Sequence, residues 1–254
     1  MKFLIKLFFK KLFSIIGIKV SRVRKEQNKF APSEKDKFKW IQNMNIKTVI
    51  DIGANEGKAA LQFNKLFPNA KIYAFEPLHD CFIKLNTNLK NVPNFKSFNL
   101  ALGDKKENKN IYRSNFAPSS SLLKMKEFHK EAFPFSSGET LETINVDTLD
   151  NVTQELELND NILLKIDVQG YEDRVIMGAR NILGRAKVII IETSFNNLYE
   201  GQPQFSDIYE LLYKQGFVYS GSWGAELESP LDGTPLQQDS IFIKTSNGIF
   251  ATSS

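Results

Sequence analysis

Apolar positions follow two alternating periodicities along most of the chain. A short apolar run at residues 48–52 is followed, after a glycine turn, by apolar residues with helical spacing at 58–67. The same order returns at 71–77 and 79–90. Strands that alternate with helices in this way are typical of an α/β fold with a parallel sheet.

Further elements are predicted along the rest of the chain. Apolar runs predict strands at 95–102, 162–168, 188–193, 217–223 and 239–245. Helical spacing of apolar residues predicts a helix at 205–215, between the third and fourth of these strands. The last two strands are closely spaced in sequence. The pattern therefore predicts a mostly parallel seven-stranded sheet with an antiparallel edge strand and helices on both faces.

The alternation stops over an insertion at about 104–161. It contains two short predicted strands, 110–115 and 142–148, and a helix-prone stretch at 122–133. An insertion beside a ligand crevice often determines substrate specificity. A solvent-exposed extension of the sheet edge is the alternative.

Composition indicates one globular domain with an appendage. Of 254 residues, 42% are hydrophobic and 24% charged, and the net charge of +4 comes from the first 30 residues, which hold nine basic side chains and one acidic. The remainder is slightly acidic, which argues against a nucleic-acid-binding domain.

A single cysteine, Cys81, excludes an intramolecular disulfide and fits a reducing compartment. We predict an N-terminal helix and linker at 1–36, a domain at 37–246 and a disordered tail at 247–254.

Residues 1–20 combine apolar and basic positions. Lys2, Lys6 and Lys10 share one helical face and apolar residues gather opposite, so the segment can lie on a membrane surface. Its longest lysine-free run, 12–18, is far shorter than the roughly 20 residues that a bilayer requires. Docking on the domain or on a second subunit is the alternative. The predicted location is cytoplasmic, with peripheral contact at the inner membrane face.

The turn after the first strand has the composition of a ligand-binding loop. Gly53 and Gly57 allow the chain to reverse and let a ligand approach the unpaired N–H groups at a helix start. The dinucleotide fingerprint has a glycine where this chain has Asn55, so a pyrophosphate is the less expected ligand. Glu76 ends the next strand, 19 positions after Gly57, where a carboxylate can accept hydrogen bonds from ribose hydroxyls.

Other acidic residues stand at the ends of predicted strands. Asp104 follows the third strand, where it would accept from an adenine amine or simply begin a charged turn. Asp167 ends a strand that is predicted to be buried, and a carboxylate there usually meets a ligand, a cation or helix N–H groups. Glu172 opens the next helix, where it would act at the site or offset the helix dipole.

Three segments in order resemble the FkbM family of S-adenosylmethionine-dependent methyltransferases. They are Val-Ile-Asp-Ile-Gly-Ala-Asn-Glu-Gly at 49–57, Tyr-Ala-Phe-Glu-Pro at 73–77 and Leu-Leu-Lys-Ile-Asp-Val-Gln-Gly-Tyr-Glu at 163–172. The resemblance extends over about 48–244 and includes 143–149 and 238–244. It implies a Rossmann-like class I methyltransferase fold.

The resemblance also implies a cofactor, S-adenosylmethionine, and a hydroxyl-bearing acceptor. Gly53, Asn55 and Gly57 would line the amino-acid part of the cofactor, Asp51 would orient the loop, and Glu76 would hold the ribose. The implied cofactor-binding set is Asp51, Gly53, Asn55, Gly57, Glu76 and Asp104. The catalytic candidates are Asp167, His79 as a base, and Glu172.

The preferred acceptor is a sugar hydroxyl of a glycan or glycolipid precursor, since family members often act in polysaccharide or secondary-metabolite pathways. A nicotinamide-dependent oxidoreductase and a non-catalytic nucleotide-binding module at a membrane are the alternatives. No residue set is assigned to a metal: Asp167, Glu172 and Glu192 could approach one another without a histidine, so a divalent cation stays open. The number of subunits also stays open.

Overall fold

A computed structural model of the protein describes residues 38–224 and 226–245. The predicted N-terminal helix and linker at 1–36 and the predicted tail at 247–254 lie outside these ranges. The described residues from Ile41 onward belong to one compact unit. Within the described ranges, every helix is too short or too polar to cross a bilayer.

The elements alternate much as the apolar pattern predicts. The described strands are β1 (Thr48–Ile52), β2 (Lys71–Phe75), β3 (Phe95–Phe98), β4 (Ala101–Leu102), β5 (Glu107–Ser114), β6 (Glu139–Asp147), β7 (Ile162–Ile166), β8 (Ala186–Ser194), β9 (Phe217–Ser222), β10 (Leu227–Glu228) and β11 (Pro235–Lys244). The described α-helices are α1 (Lys39–Gln42), α2 (Lys58–Leu66), α3 (His79–Asn88), α4 (Glu127–Ala132), α5 (Leu149–Val152), α6 (Glu172–Met177), α7 (Arg180–Arg185) and α8 (Phe205–Lys214). Single 3-10 turns lie at Ala117–Ser119, Pro134–Ser136 and Thr153–Glu155.

The main sheet has the order β3-β2-β1-β7-β8-β11, and both β9 and β10 pair with the outer side of β11. Strands β3 to β8 in this order are parallel, whereas β11 is antiparallel to β8 and to β9. The predicted α/β class, a mostly parallel sheet with an antiparallel edge, is confirmed. The sheet has eight strands rather than the predicted seven, because it also includes the short β10. The antiparallel β11 is not itself the edge strand, since β9 and β10 pair with its outer side.

Both faces of the sheet are covered at its centre. All five residues of β1 and all five of β7 are buried, which explains why both strands are almost continuously apolar. One face carries the largest described core cluster, in which alternate residues such as Ile50, Leu164 and Ile189 pack with residues of helices α5 to α8. The functional residues are therefore expected at the strand ends, where this packing stops.

The predicted strand 95–102 is two strands in two sheets. β3 pairs with β2 in the main sheet, and β4 joins β6 and β5 in a three-stranded sheet built by the insertion. Between them, the Asn99 amide donates to the carbonyl oxygens of Glu76 at 2.9 Å and Pro77 at 2.8 Å. The amide thus ends the pairing with β2 and lets the chain leave the main sheet.

The helix-prone stretch 122–133 is helical only over α4. Its first residues are extended, because Ser121 bridges to Tyr112 and Met125 bridges to Tyr199. The local helical pattern is overridden by pairing with distant segments, which holds residues 117–122 against the end of the main sheet.

Candidate functional site

A cavity of about 300 Å³ lies at the carboxyl ends of the parallel strands β2, β1, β7 and β8. This volume is at the lower end of the range of roughly 300–1,000 Å³ for small-molecule sites. Each of the four strands contributes a wall residue, in spatial order Glu76, Gly53, Asp167 and Glu192. Residues 117, 118 and 120–122 of the insertion close another wall, so the insertion belongs to the cavity as well as to the sheet edge.

Gly53 lets the loops after β1 and β7 touch. Its φ is +80°, and an added Cβ would lie 1.8 Å from the carbonyl oxygen of Asp167. Gly57 also has a positive φ, +87°, but its Cβ would meet the Cδ1 atoms of Leu89 and Leu85 at 2.3 and 2.7 Å. Gly57 is therefore required by the packing of α2 on α3, and it lies outside the cavity wall, whereas Gly53 lines it.

Glu76 joins the two loops on the other side of the cavity. Its Oε2 accepts from the backbone N–H of Asn55 and its Oε1 from that of Leu78, both at 2.8 Å. Asn55 has a left-handed φ of 48°, which directs its N–H to the carboxylate. Burial raises the pKa of Glu76 to about 7, although both backbone donors oppose the shift. The predicted pairing of glycine loop and downstream carboxylate is present, and both line one cavity.

Asp51 lies behind the wall, within β1. It is buried, and in the described part of the protein its Oδ2 has no hydrogen-bond partner. Burial raises its pKa to about 7, while the neighbouring ammonium of Lys165 and the N–H of Ala60 in the first turn of α2 oppose the shift. The carboxylate thus faces the start of α2 and the lysine of the adjacent strand, and its predicted role in orienting the loop stays a prediction.

The raised pKa values of Asp51 and Glu76 predict that the stability of the fold depends on pH. Because Asp51 and Glu76 have a pKa of about 7 in the folded protein and ordinary values when unfolded, the folded state binds more protons between these values. Stability should therefore fall as the pH rises from 5.5 to 8. Asp51→Asn should reduce this fall by on the order of 1–2 kcal/mol, because it removes one of the titrating groups. Urea unfolding at pH 5.5 and pH 8 measures the change in the free energy of unfolding. An equal change in wild type and variant would contradict the raised pKa of Asp51.

A second polar group lies on the β7 and β8 side of the cavity. Nζ of the buried Lys165 is 2.7 Å from Oδ1 of Asp239 and 3.3 Å from Oδ2 of Asp167. Burial acts to lower the pKa of Lys165, but Asp167 and Asp239 outweigh it and the pKa is raised. The lysine thus remains charged and compensates two carboxylates.

Gln169 connects Asp167 to Glu192. Its Nε2 donates to Oδ1 of Asp167 and to Oε2 of Glu192, each at 2.9 Å, and Gln237 donates to the same Oε2 at 2.8 Å. The Tyr199 hydroxyl lies 3.0 Å from Oε1 of Gln169 and 3.0 Å from the carbonyl oxygen of Ser119, so its one proton is shared between two acceptors. Gln169 has a φ of 54°, a strained value for a residue with a Cβ.

Sequence reasoning did not identify Gln169, Tyr199 and Gln237, and it considered Glu192 only as a metal ligand. These residues come from four separate segments of the chain. The available signal was the position of Gln169, between Asp167 and Glu172 in the motif at 163–172.

Glu172 supports the loop from beneath. It is buried, and its Oε1 accepts from the N–H groups of Val168 and Gly170, both at 3.1 Å. Burial raises its pKa to about 7. The structure does not place Glu172 on the cavity wall, so its contacts indicate a role in shaping the β7 loop rather than contact with a substrate.

His79 and Asp104 lie away from the cavity wall. His79 begins α3, is exposed, and has its Nδ1 3.3 Å from Oδ1 of Asn99. The structure thus does not bring His79 to the cavity wall, and its assignment as the base stays a prediction. Asp104 lies 3.4 Å from the guanidinium of Arg174 and is likewise not brought to the cavity wall, so its assignment to the cofactor stays a prediction.

Neither a reactive thiol nor a metal-binding group is found among the described residues. Burial raises the pKa of the Cys81 thiol to about 11, so the group is a protonated packing residue at neutral pH. Across 38–224 and 226–245, no group of three or more histidine, cysteine, aspartate or glutamate residues has an arrangement that could hold a metal ion.

Comparison with known proteins gives one family. The model of the methyltransferase FkbM domain matches residues 51–219, more than half of the chain. The 2-O-methyltransferase NoeI of Sinorhizobium fredii is 27% identical over 194 residues, which cover 74% of this chain and 80% of that protein. The AMB antimetabolite synthetase AmbE of Pseudomonas aeruginosa is 27% identical over 209 residues, but these are only 10% of its length and 71% of this chain.

The solved structures with a similar fold include two bacterial chains. The precorrin-6y C5,15-methyltransferase of Geobacter metallireducens shares 12% identity with a TM-score of 0.43, over 85% of this chain and 89% of that one. TehB of Haemophilus influenzae shares 12% identity with a TM-score of 0.44, over 87% of this chain and 65% of that one.

Proposed function

The chain belongs to the FkbM methyltransferase family and is an S-adenosylmethionine-dependent methyltransferase, and from this premise we propose that it methylates a hydroxyl oxygen of a sugar. The acceptor would be part of a glycan or glycolipid precursor. Family membership decides against the predicted oxidoreductase alternative. The observation that carries the proposal is the cavity, which has the carboxylate of Glu76 at one end and a group of carboxylate and amide side chains at the other.

The β2 side of the cavity fits S-adenosylmethionine. Glu76 would hold the ribose hydroxyls, and the backbone of Gly53, which lines the cavity, would face the amino-acid part. Beside Glu76, an apolar wall that includes Phe75, Leu100 and Leu102 would cover the adenine. When bound, the cofactor supplies a methyl group that its sulfonium already activates, so the protein mainly aligns the acceptor and excludes water.

The β7 and β8 side suits a polyhydroxylated acceptor. Asp167, Gln169 and Glu192 present planar carboxylate and amide groups, which can accept from and donate to neighbouring hydroxyls. Outside the cavity, the exposed rings of Phe116 and Phe135 lie 5.2 Å apart, edge to face, on the insertion. Because Phe116 directly precedes the wall residue Ala117, these rings offer an apolar surface for further sugar units. The relative NoeI is by name a 2-O-methyltransferase, which supports oxygen as the methylated atom.

A labelled-methyl assay tests this function. The protein should transfer the methyl group from labelled S-adenosylmethionine to sugar nucleotides, lipid-linked sugars or oligosaccharides, and the product should resist mild alkali because it is an ether. Carboxylate and amine acceptors of similar size are the controls, since a methyl ester is lost in alkali and a methylamine is distinguished by mass spectrometry. Label found only in ester or amine products would refute the proposal while leaving the family assignment intact.

Peripheral membrane contact through residues 1–20, a location at the inner membrane face and the absence of nucleic-acid binding stay predictions. Residues 1–20 lie outside the described residues.

A further inference from the structure

We propose that Glu192 is the catalytic base, which accepts the proton of the acceptor hydroxyl at its Oε1. Gln169, Gln237 and Tyr199 would be the positioning residues that hold this carboxylate. The inference rests on the proposed function and deepens it by naming the group that activates the acceptor.

The order of the strands places Glu192 at the acceptor end. Glu76, Gly53, Asp167 and Glu192 end successive neighbouring strands β2, β1, β7 and β8. Three strand spacings separate the first from the last, roughly 14 Å. A cofactor held at Glu76 and Gly53 would therefore extend toward Glu192, and the acceptor would enter between the methyl group and β8.

Charge compensation distinguishes Glu192 from Asp167, the other carboxylate on this side. Both carboxylate oxygens of Asp167 are occupied, because its Oδ2 lies 3.3 Å from Nζ of Lys165 and its Oδ1 accepts from Nε2 of Gln169 at 2.9 Å. Glu192 receives hydrogen bonds from two neutral amides, at 2.9 and 2.8 Å, and both go to Oε2. In the part of the chain that the structure describes, no hydrogen bond or ion pair to Oε1 is found, and this oxygen is free to face the cavity.

The electrostatic surroundings favour proton uptake by Glu192. Burial raises its pKa well above the ordinary value, the carboxylates of Asp167, Glu172 and Asp239 raise it further, and Lys165 opposes them. A base is most effective when its pKa lies near the working pH, which an ordinary carboxylate would not reach. The position of Oε1 and its surroundings thus point to the same role.

The proposed step is balanced within this arrangement. The acceptor oxygen forms its bond to the methyl carbon as the carbon–sulfur bond breaks, the electron pair of the broken bond stays on sulfur, and the hydroxyl proton passes to Oε1 of Glu192. The proton then leaves to solvent when the products are released. No other reactant is required.

Tyr199 fixes the geometry of the base through Gln169. Its single hydroxyl proton is shared between Oε1 of Gln169 and the carbonyl oxygen of Ser119, each 3.0 Å away, and the contact with Oε1 favours the orientation in which the Gln169 NH₂ group faces both Asp167 and Glu192. The strained φ of Gln169 indicates that the backbone of this loop is held against its local conformational preference. Tyr199→Phe should therefore lower kcat several-fold and leave the affinity for S-adenosylhomocysteine unchanged.

Glu192→Gln tests the base directly. Because the amide has the same shape but cannot take the proton, kcat should fall about 100-fold or more and the acidic limb of the pH–rate profile should disappear. Affinity for S-adenosylhomocysteine, measured by calorimetry, should stay within about threefold. Glu200→Gln is the matched control, since Glu200 is an exposed carboxylate outside the cavity wall, and it should leave all three measurements unchanged. Wild-type kcat in Glu192→Gln would overturn the proposal.

A second measurement does not depend on turnover. In protein with ¹³C-labelled glutamate carboxyls and bound S-adenosylhomocysteine, the carboxyl signals of Glu76 and Glu172 should titrate near neutral pH, and one further signal that titrates near or above neutral pH should be missing from Glu192→Gln but present in Glu200→Gln. If every such signal persists in Glu192→Gln, the proposal fails. Failure of sugar methylation with this titration intact would instead refute the proposed acceptor, so the two failures are distinguishable. Circular dichroism melting verifies folding, and Glu192→Asp, which keeps the acid but shortens its reach, should recover part of the lost rate.

Discussion

Glu76→Ala should weaken the binding of S-adenosylhomocysteine by about 30- to 150-fold, equivalent to about 2–3 kcal/mol. The carboxylate accepts hydrogen bonds from the backbone N–H groups of Asn55 and Leu78 at 2.8 Å each. Because it lies on the cavity wall, it would also accept hydrogen bonds from the ribose hydroxyls. Removing it leaves two backbone donors without their acceptor and removes the acceptor for the ligand. Both the loop and the ribose would lose their shared anchor.

Calorimetry on wild type and two comparison variants separates these contributions. Glu76→Gln keeps one oxygen acceptor and should give an intermediate affinity. Glu56→Ala is the matched control on the same loop: Glu56 is exposed and only makes a surface ion pair with Lys84 at 2.7 Å, so its removal should change affinity less than about threefold. Unchanged affinity in Glu76→Ala would refute the ribose placement, and an equal loss in Glu56→Ala would show that the loop as a whole is fragile.

The residues that sequence reasoning placed at the cavity are those fixed by local structure. A strand, a glycine turn and a helix start lie within ten residues around Gly53, and the next strand necessarily ends beside it, so Gly53 and Glu76 could be paired from spacing alone. The same reasoning does not locate His79, which is only three residues from Glu76 but lies outside the cavity wall. Residue proximity along the chain does not determine direction, and the start of α3 turns this side chain outward.

The second half of the cavity could not be predicted because it depends on distant segments. Gln169, Tyr199 and Gln237 meet around Glu192 only because β11 inserts beside β8 and because Met125 bridges to Tyr199. Neither event leaves a periodic or spacing signal in the sequence. The polar residues themselves are ordinary in composition, and their role becomes visible only when their hydrogen bonds are known.

Two glycines of the same loop should respond differently to the same substitution. Gly53→Ala should lower the free energy of unfolding by about 3–5 kcal/mol and abolish detectable binding of S-adenosylhomocysteine. Its φ of +80° disfavours any Cβ, and the new atom would lie 1.8 Å from the carbonyl oxygen of Asp167, so backbone has to move on both sides of the cavity. The β1 and β7 loops would separate, and the cofactor and acceptor ends would lose their fixed distance.

Gly57→Ala should cost stability but not the site. Its Cβ would meet only the ends of Leu85 and Leu89, which are flexible side chains, so the loss should be about 1–3 kcal/mol and the folded fraction should bind S-adenosylhomocysteine normally. Gly184→Ala provides the baseline, because Gly184 lies in α7 and an added Cβ would have nothing within 4 Å. This variant should have a free energy of unfolding about 0.5–1 kcal/mol higher than wild type. Urea unfolding and calorimetry on the three variants measure both quantities. Normal binding by Gly53→Ala would remove the loop contact from the cofactor site, whereas loss of binding in a stably folded Gly57→Ala would restore Gly57 to the cofactor-binding set that its sequence motif implies.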